Sequence, residues 1–141
     1  MNKPQKISAV IAAAGKSSRM NLKDGGSKQF IKIGGKPVIQ KTLEIFNSSP
    51  YICEIIISVR REDIEKIKEI SANFHKVKTI AEGGETRVES VAKAVEFISP
   101  DMDYIAIHDG ARCFITLEDI EKVALKAFET GAAAAGSKRS R

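Results

Sequence analysis

Between positions 12 and 28 the chain reads AAAGKSSRMNLKDGGSK, a small-residue turn after an apolar run, carrying Arg19 and, nine residues on, Lys28. Ala13, Ala14 and Gly15 let a backbone approach a ligand closely, with N–H groups available to anionic oxygens. From Ala13 to Lys36, six basic residues (Lys16, Arg19, Lys23, Lys28, Lys32 and Lys36) are set against one acid, Asp24. The whole chain carries a formal charge of +5, so this segment accounts for the entire excess. The residues outside it balance at 17 basic and 17 acidic. Such a segment suits a polyanion, and its small residues suit phosphate groups held by backbone N–H. A Walker A loop would need glycine where Val10 stands, and Gly15 lacks the partners of a G-x-G-x-x-G fingerprint. The phosphates would be held in another arrangement.

Two further segments carry chemistry. In AEGGETRVESV, Gly83 and Gly84 follow an apolar run and precede a helical pattern. Glycines there allow either positive φ or close contact with a flat group, and Ser90 in the first helical turns can hydrogen-bond a base edge. In IAIHDGARCF, Asp109 ends an apolar strand beside Gly110, where a carboxylate can reach Mg²⁺ bridging phosphate oxygens. We read His108 as packed or hydrogen-bonded locally rather than as a base, and His75 carries no signal. HExxH, G-x-S-x-G and a nucleophile pair are absent, which excludes the usual parts of zinc and covalent chemistry. The remaining parts suit phosphoryl or nucleotidyl transfer, which depends on charge neutralisation and alignment.

These residues need a scaffold that brings strand ends together. The chain has 141 residues, 43% hydrophobic and 29% charged, which are ordinary globular values for a single α/β domain over 1–141. No apolar run approaches the roughly 20 residues of a membrane span and no signal-peptide pattern follows the N-terminus, so a cytoplasmic protein is expected. Cys53 and Cys113 have no metal-ligand spacing and read as reduced thiols. Strands are predicted at Ile7 to Ala13, Cys53 to Val59, Val77 to Ala81 and Asp103 to Ile107. Helices are predicted over Pro37 to Phe46, Arg61 to Phe74, Thr86 to Ile98 and Leu117 to Phe128. The third of these carries Val88, Val91, Ala92, Val95 and Ile98 on its apolar face. Thr116 would cap the fourth and Gly131 would stop it. Ala132 to Gly136 resembles the opening of another strand. The alternation predicts a mostly parallel sheet with helices on both faces, whose ligand would lie at the carboxyl ends of the strands.

Together AAAGKSSRM, SKQF, GGKPVI, EGGETRVESV and HDGAR resemble, in order and spacing, the 2-C-methyl-D-erythritol 4-phosphate cytidylyltransferases, over residues 7–136. The resemblance implies a Rossmann-like nucleotidyltransferase sheet. It also implies attack of a polyol phosphate on the α-phosphate of CTP with release of pyrophosphate, in non-mevalonate isoprenoid biosynthesis. Carried over by position, Ala13, Ala14 and Gly15 would hold the nucleotide, and Arg19 and Lys28 would contact the triphosphate and stabilise the transferring phosphate. Gly84, Glu85 and Ser90 would read the cytosine, Asp109 would bind Mg²⁺ or another divalent cation, and Arg112 would help place the acceptor. Selection of cytosine rests on the resemblance alone.

Two departures stand out. Cys113 occupies the position where the family usually has proline, which removes a φ restraint next to Arg112. The family continues with a Pro-Val-Lys-Asp-Thr type segment where this chain reads SKRSR, so residues 137–141 form an atypical tail. The expectation is therefore a CTP half whose acceptor half and dimerisation arm are absent, with an α/β sheet incomplete at its C-terminus. Ribitol-5-phosphate cytidylyltransferase is the nearest alternative, and a CTP-binding fragment without turnover is a second. A nucleic-acid partner is disfavoured because the excess charge sits in one segment and aromatics are only 6% of the chain.

Overall fold

A computed structural model of the chain describes residues 5–14 and 28–133. Its main sheet has four parallel strands: β1 (Ile7–Ala13), β4 (Ile52–Val59), β5 (Val77–Glu82) and β6 (Tyr104–Asp109). They lie in the order β5-β4-β1-β6. A small antiparallel hairpin, β2 (Lys32–Ile33) and β3 (Lys36–Pro37), stands apart from it. Gly34 and Gly35 form its two-residue turn with φ of 64° and 85°, the left-handed pair that a tight hairpin turn requires.

The helices are α1 (Val38–Ser48), α2 (Ile64–Ser71), α3 (Arg87–Val95) and α4 (Leu117–Thr130). Strand pleating divides the core between the two faces of the sheet. Ala9, Ile11 and Ala13 of β1 and Ile55, Ile57 and Val59 of β4 pack against Ile39, Leu43 and Phe46 of α1, Ile67 of α2 and Ile120 of α4. Val10 and Ile56 point the other way, toward Ala94 of α3. Continuous apolar runs such as CEIIISV follow from burial on both faces.

The expected elements are present with shifted ends. The Arg61 to Phe74 helix divides into a 3₁₀ turn, Arg61–Asp63, and α2. Thr116 caps α4 through a reciprocal box with Asp119, and Gly131 ends it at φ 90°. The face of α3 differs from expectation. Ser90 and Ala94 are its buried residues, with Ile98 packed beside them, whereas Val88 is 80% exposed and Val95 is exposed as well. Ala132 and Ala133, where a further strand was expected to open, are in no strand, and residues 134–136 lie outside the described residues. Among the described residues, no helix is long and apolar enough to cross a membrane.

Candidate functional site

The strand order runs outward from β1 through β4 to β5, then returns to the other side of β1 for β6. Open α/β sheets bind ligands in the crevice where that order reverses, outside the carboxyl ends of the strands. Here the reversal lies between β1 and β6, at the paired residues Ala12 and Asp109. The Gly110 N–H donates to the Ala12 carbonyl at 2.9 Å, holding the Asp109 turn against the end of β1.

The third strand end joins through Gly83. Its N–H donates to the Val59 carbonyl at 2.8 Å. A Cβ on Gly83 would lie 2.3 Å from Ala14 Cβ and 2.7 Å from Ser90 Oγ, so only glycine lets the loop after β5 reach the loop after β1. Neither Gly83 nor Gly84 has positive φ. These glycines therefore serve close approach rather than positive φ. The Ser90 hydroxyl, 1% exposed, accepts from the Gly84 N–H at 3.0 Å and lies 3.4 Å from the Gly84 carbonyl. Ser90 thus fixes the Gly84 backbone, while Glu85 beside it is exposed.

Lys28 opens a 3₁₀ turn, Lys28–Phe30, and is exposed. Gln29 next to it is fully buried, and its Nε2 donates to the Ala13 carbonyl at 3.0 Å. Lys66 Nζ sits 4.5 Å from the Phe30 ring centroid and holds the other flank of the turn. Lys28 is thereby anchored beside the end of β1. Gln29 and Lys66 were not read from the sequence. The SKQF segment was visible, but a glutamine between lysine and phenylalanine carries no periodic signal for a buried clamp. Gly15 and Arg19 lie outside the described residues.

Asp109 is flanked by two guanidinium groups. Arg87 Nε and Nη2 donate to Oδ1 at 3.3 and 3.1 Å, and Arg112 Nε lies 3.2 Å from Oδ2. Arg87, the first residue of α3, was missed because its partner is 22 residues away in sequence. His108 is packed locally, as expected: its ring lies 5.1 Å from that of Phe46, and Nε2 donates to the Arg112 carbonyl at 2.8 Å. Cys113 is buried and Cys53 exposed, and both are free thiols.

Among the described residues, no three His, Cys, Asp or Glu side chains are placed to hold a metal ion together. Asp109 is still a hard oxygen donor at the strand-order reversal. Mg²⁺ is commonly held by one or two carboxylates with substrate phosphates completing its shell. Arginines engage both Asp109 oxygens here, so this carboxylate would hold a divalent cation, together with substrate phosphates, on giving up an arginine.

Three converging strand ends, a close glycine contact and an adjacent anchored lysine suit a nucleotide, and similarity to known proteins narrows the class. The family model for 2-C-methyl-D-erythritol 4-phosphate cytidylyltransferase matches residues 7–137. The 2-C-methyl-D-erythritol 4-phosphate cytidylyltransferase of Clostridium tetani is 46% identical over 136 residues, covering 95% of this chain and 54% of the relative. That of Chlorobium luteolum is 37% identical, covering 92% and 58%. The crystal structure of 4-diphosphocytidyl-2C-methyl-D-erythritol synthase from Anaerococcus prevotii superposes with a TM-score of 0.76 at 29% identity, over 90% of this chain and 52% of that one. The chain therefore spans about half the length of the curated relatives it matches. With the motifs, the parallel sheet and the family model agreeing over nearly its whole length, the chain belongs to the 2-C-methyl-D-erythritol 4-phosphate cytidylyltransferase family.

Proposed function

We propose that this chain carries the nucleotide side of a cytidylyltransferase that transfers CMP from CTP to 2-C-methyl-D-erythritol 4-phosphate and releases pyrophosphate. The observation that carries the reading is the contact of Gly83 with Ala14 and Ser90, which draws the loops after β1 and β5 together beside Asp109. The backbone of Ala13, Ala14 and Gly15 holds the nucleotide, and Arg19 and Lys28 neutralise the triphosphate. Gly84 and Glu85 meet the cytosine, with Ser90 holding Gly84 in place. Asp109 holds a divalent cation, which supplies charge neutralisation at the phosphates when bound. Arg112 places the acceptor phosphate. The ribitol phosphate alternative is not favoured, because the matched family and relatives bear the methylerythritol name.

Calorimetry with MgCl₂ and either CTP or UTP tests the reading. CTP should bind and UTP should bind at least about tenfold more weakly, because a site that hydrogen-bonds one base edge leaves polar groups unpaired with the other. Lys28→Ala should weaken CTP by about tenfold, the order expected for a hydrogen bond to a charged group. Equal binding of the two nucleotides would remove the base-reading role of Gly84 and Glu85.

A further inference from the structure

Asp109 meets Arg87 on one carboxylate oxygen and Arg112 on the other. Each arginine plays a different structural part. Arg112 is three residues away on the same turn, so its contact is local. Arg87 comes from α3, across the crevice end of the sheet, and directs both Nε and Nη2 to the single atom Oδ1. Arg87 is 54% exposed and Asp109 35%, so the pair is open to solvent and to ligand.

A carboxylate oxygen that accepts two guanidinium N–H groups has little left for a cation. A guanidinium committed to a carboxylate likewise has fewer donors for phosphate. Resting on the functional reading above, we propose that Arg87 is a positioning residue of the site and competes with the divalent cation for Asp109 Oδ1. In this structure the fork holds Asp109 in orientation. When a cation takes the carboxylate, the fork is released and becomes available to the anionic part of the nucleotide. Cation and nucleotide binding then reinforce one another, because each removes the partner that occupies the other's ligand. By linkage this coupling is reciprocal.

The test is Mn²⁺ binding to the 141-residue chain, followed by electron paramagnetic resonance of the free aqua ion, first without nucleotide and then with CTP. Exposed ion pairs are worth about 0.2–1 kcal/mol, so Arg87→Met should bind Mn²⁺ alone up to about fivefold more tightly than the unaltered chain. The same variant should bind CTP in the presence of Mn²⁺ about tenfold more weakly, since the released guanidinium is missing. Opposite signs distinguish competition from local damage, which would weaken both. Arg87→Lys keeps the charge without the fork and should fall between the two. Lys93→Met removes a charge from the last turn of the same helix and should leave Mn²⁺ binding unchanged.

Unchanged or weakened Mn²⁺ binding by Arg87→Met, including no binding by either chain, would overturn the proposal. So would an equal shift in Lys93→Met, an Arg87→Lys chain indistinguishable from the unaltered one, or unaltered CTP affinity in Arg87→Met. Asp109→Asn separates the two levels of the reading. If it leaves Mn²⁺ binding intact, the assignment of Asp109 fails and the competition falls with it. If it abolishes Mn²⁺ binding while Arg87→Met has no effect, only the competition fails.

Discussion

At Gly83 there is space for a hydrogen and nothing larger, since the first added carbon would lie 2.3 Å from Ala14 Cβ. Gly83→Ala must push the loop after β5 away from the loop after β1. Overpacking of this kind costs about 1–3 kcal/mol. The variant's unfolding free energy, measured by urea denaturation, should fall by that amount, and it should lose CTP affinity beyond what the stability loss explains, because the two loops no longer meet. A variant with full CTP affinity would show that the contact serves packing alone. The sequence made Gly83, Gly84 and Asp109 visible because each punctuates an apolar run, and turn chemistry is local. Arg87 and Gln29 were not visible, since what defines them is a partner in another segment: Asp109 for one and the Ala13 carbonyl for the other.

Elements were legible where burial imposed a period and obscure where small polar residues did the packing. β1 and β4 read directly because both of their faces are buried. The face of α3 was misread because its contact with the sheet is made by Ser90 and Ala94, and Ser58 Oγ donates to the Ser90 carbonyl at 3.3 Å. Small side chains let α3 sit close to β4, while Val88 is left outside. The β2–β3 hairpin, with two residues per strand, is too short for alternation to register. The turn after α3 is tied to β4 by Glu54, a nearly buried acid that accepts from the Ser99 hydroxyl at 2.6 Å and the Ser99 N–H at 2.9 Å. Burial pushes the Glu54 carboxyl up, but the Ser99 hydrogen bonds, with Lys78 beside it, hold it below its ordinary 4.5. A carboxyl depressed in the folded state contributes stability that is present above its unfolded value and is lost as pH falls through the folded value. Glu54→Gln should therefore be less stable than the unaltered chain at pH 7. The gap should narrow as pH drops below 4.5. A gap that stays constant from neutral to acid pH, measured by urea denaturation, would mean that the carboxylate charge contributes nothing to stability.

For the whole molecule, the determining fact is how much of a family enzyme these 141 residues contain: 54% of the length of the Clostridium tetani relative. The residues proposed to face the nucleotide at the ends of β1, β5 and β6 all fall within it, and of the proposed acceptor side it holds Arg112 and the Asp109 turn. The outer side of β6 is apolar, with Ile105 and Ile107 each 46% exposed beside a cavity of about 700 Å³ that also meets Ile115, Val123 and Ala127. Ile107 pairs with Val10, which α3 covers, yet Ile107 itself is left exposed. Among the described residues β6 is the last strand in the sheet order, so it joins an exposed apolar face to an unpaired backbone edge, and the chain should self-associate as its concentration rises. Binding and turnover should separate in the same sample. Holding two reactants in attack geometry supplies about 7–11 kcal/mol of a typical rate enhancement. Losing even half of that slows the chemical step by more than about a hundredfold. The 141-residue chain should bind CTP with MgCl₂ by calorimetry, yet release no pyrophosphate above background when 2-C-methyl-D-erythritol 4-phosphate is added. Measuring both at several protein concentrations separates lost alignment from lost protein: association would lower the number of binding sites, whereas missing alignment leaves them full and idle. Steady pyrophosphate release proportional to the chain would mean that Arg112 and the Asp109 turn suffice to align the acceptor, and the division into a nucleotide side and an acceptor side would have to be abandoned.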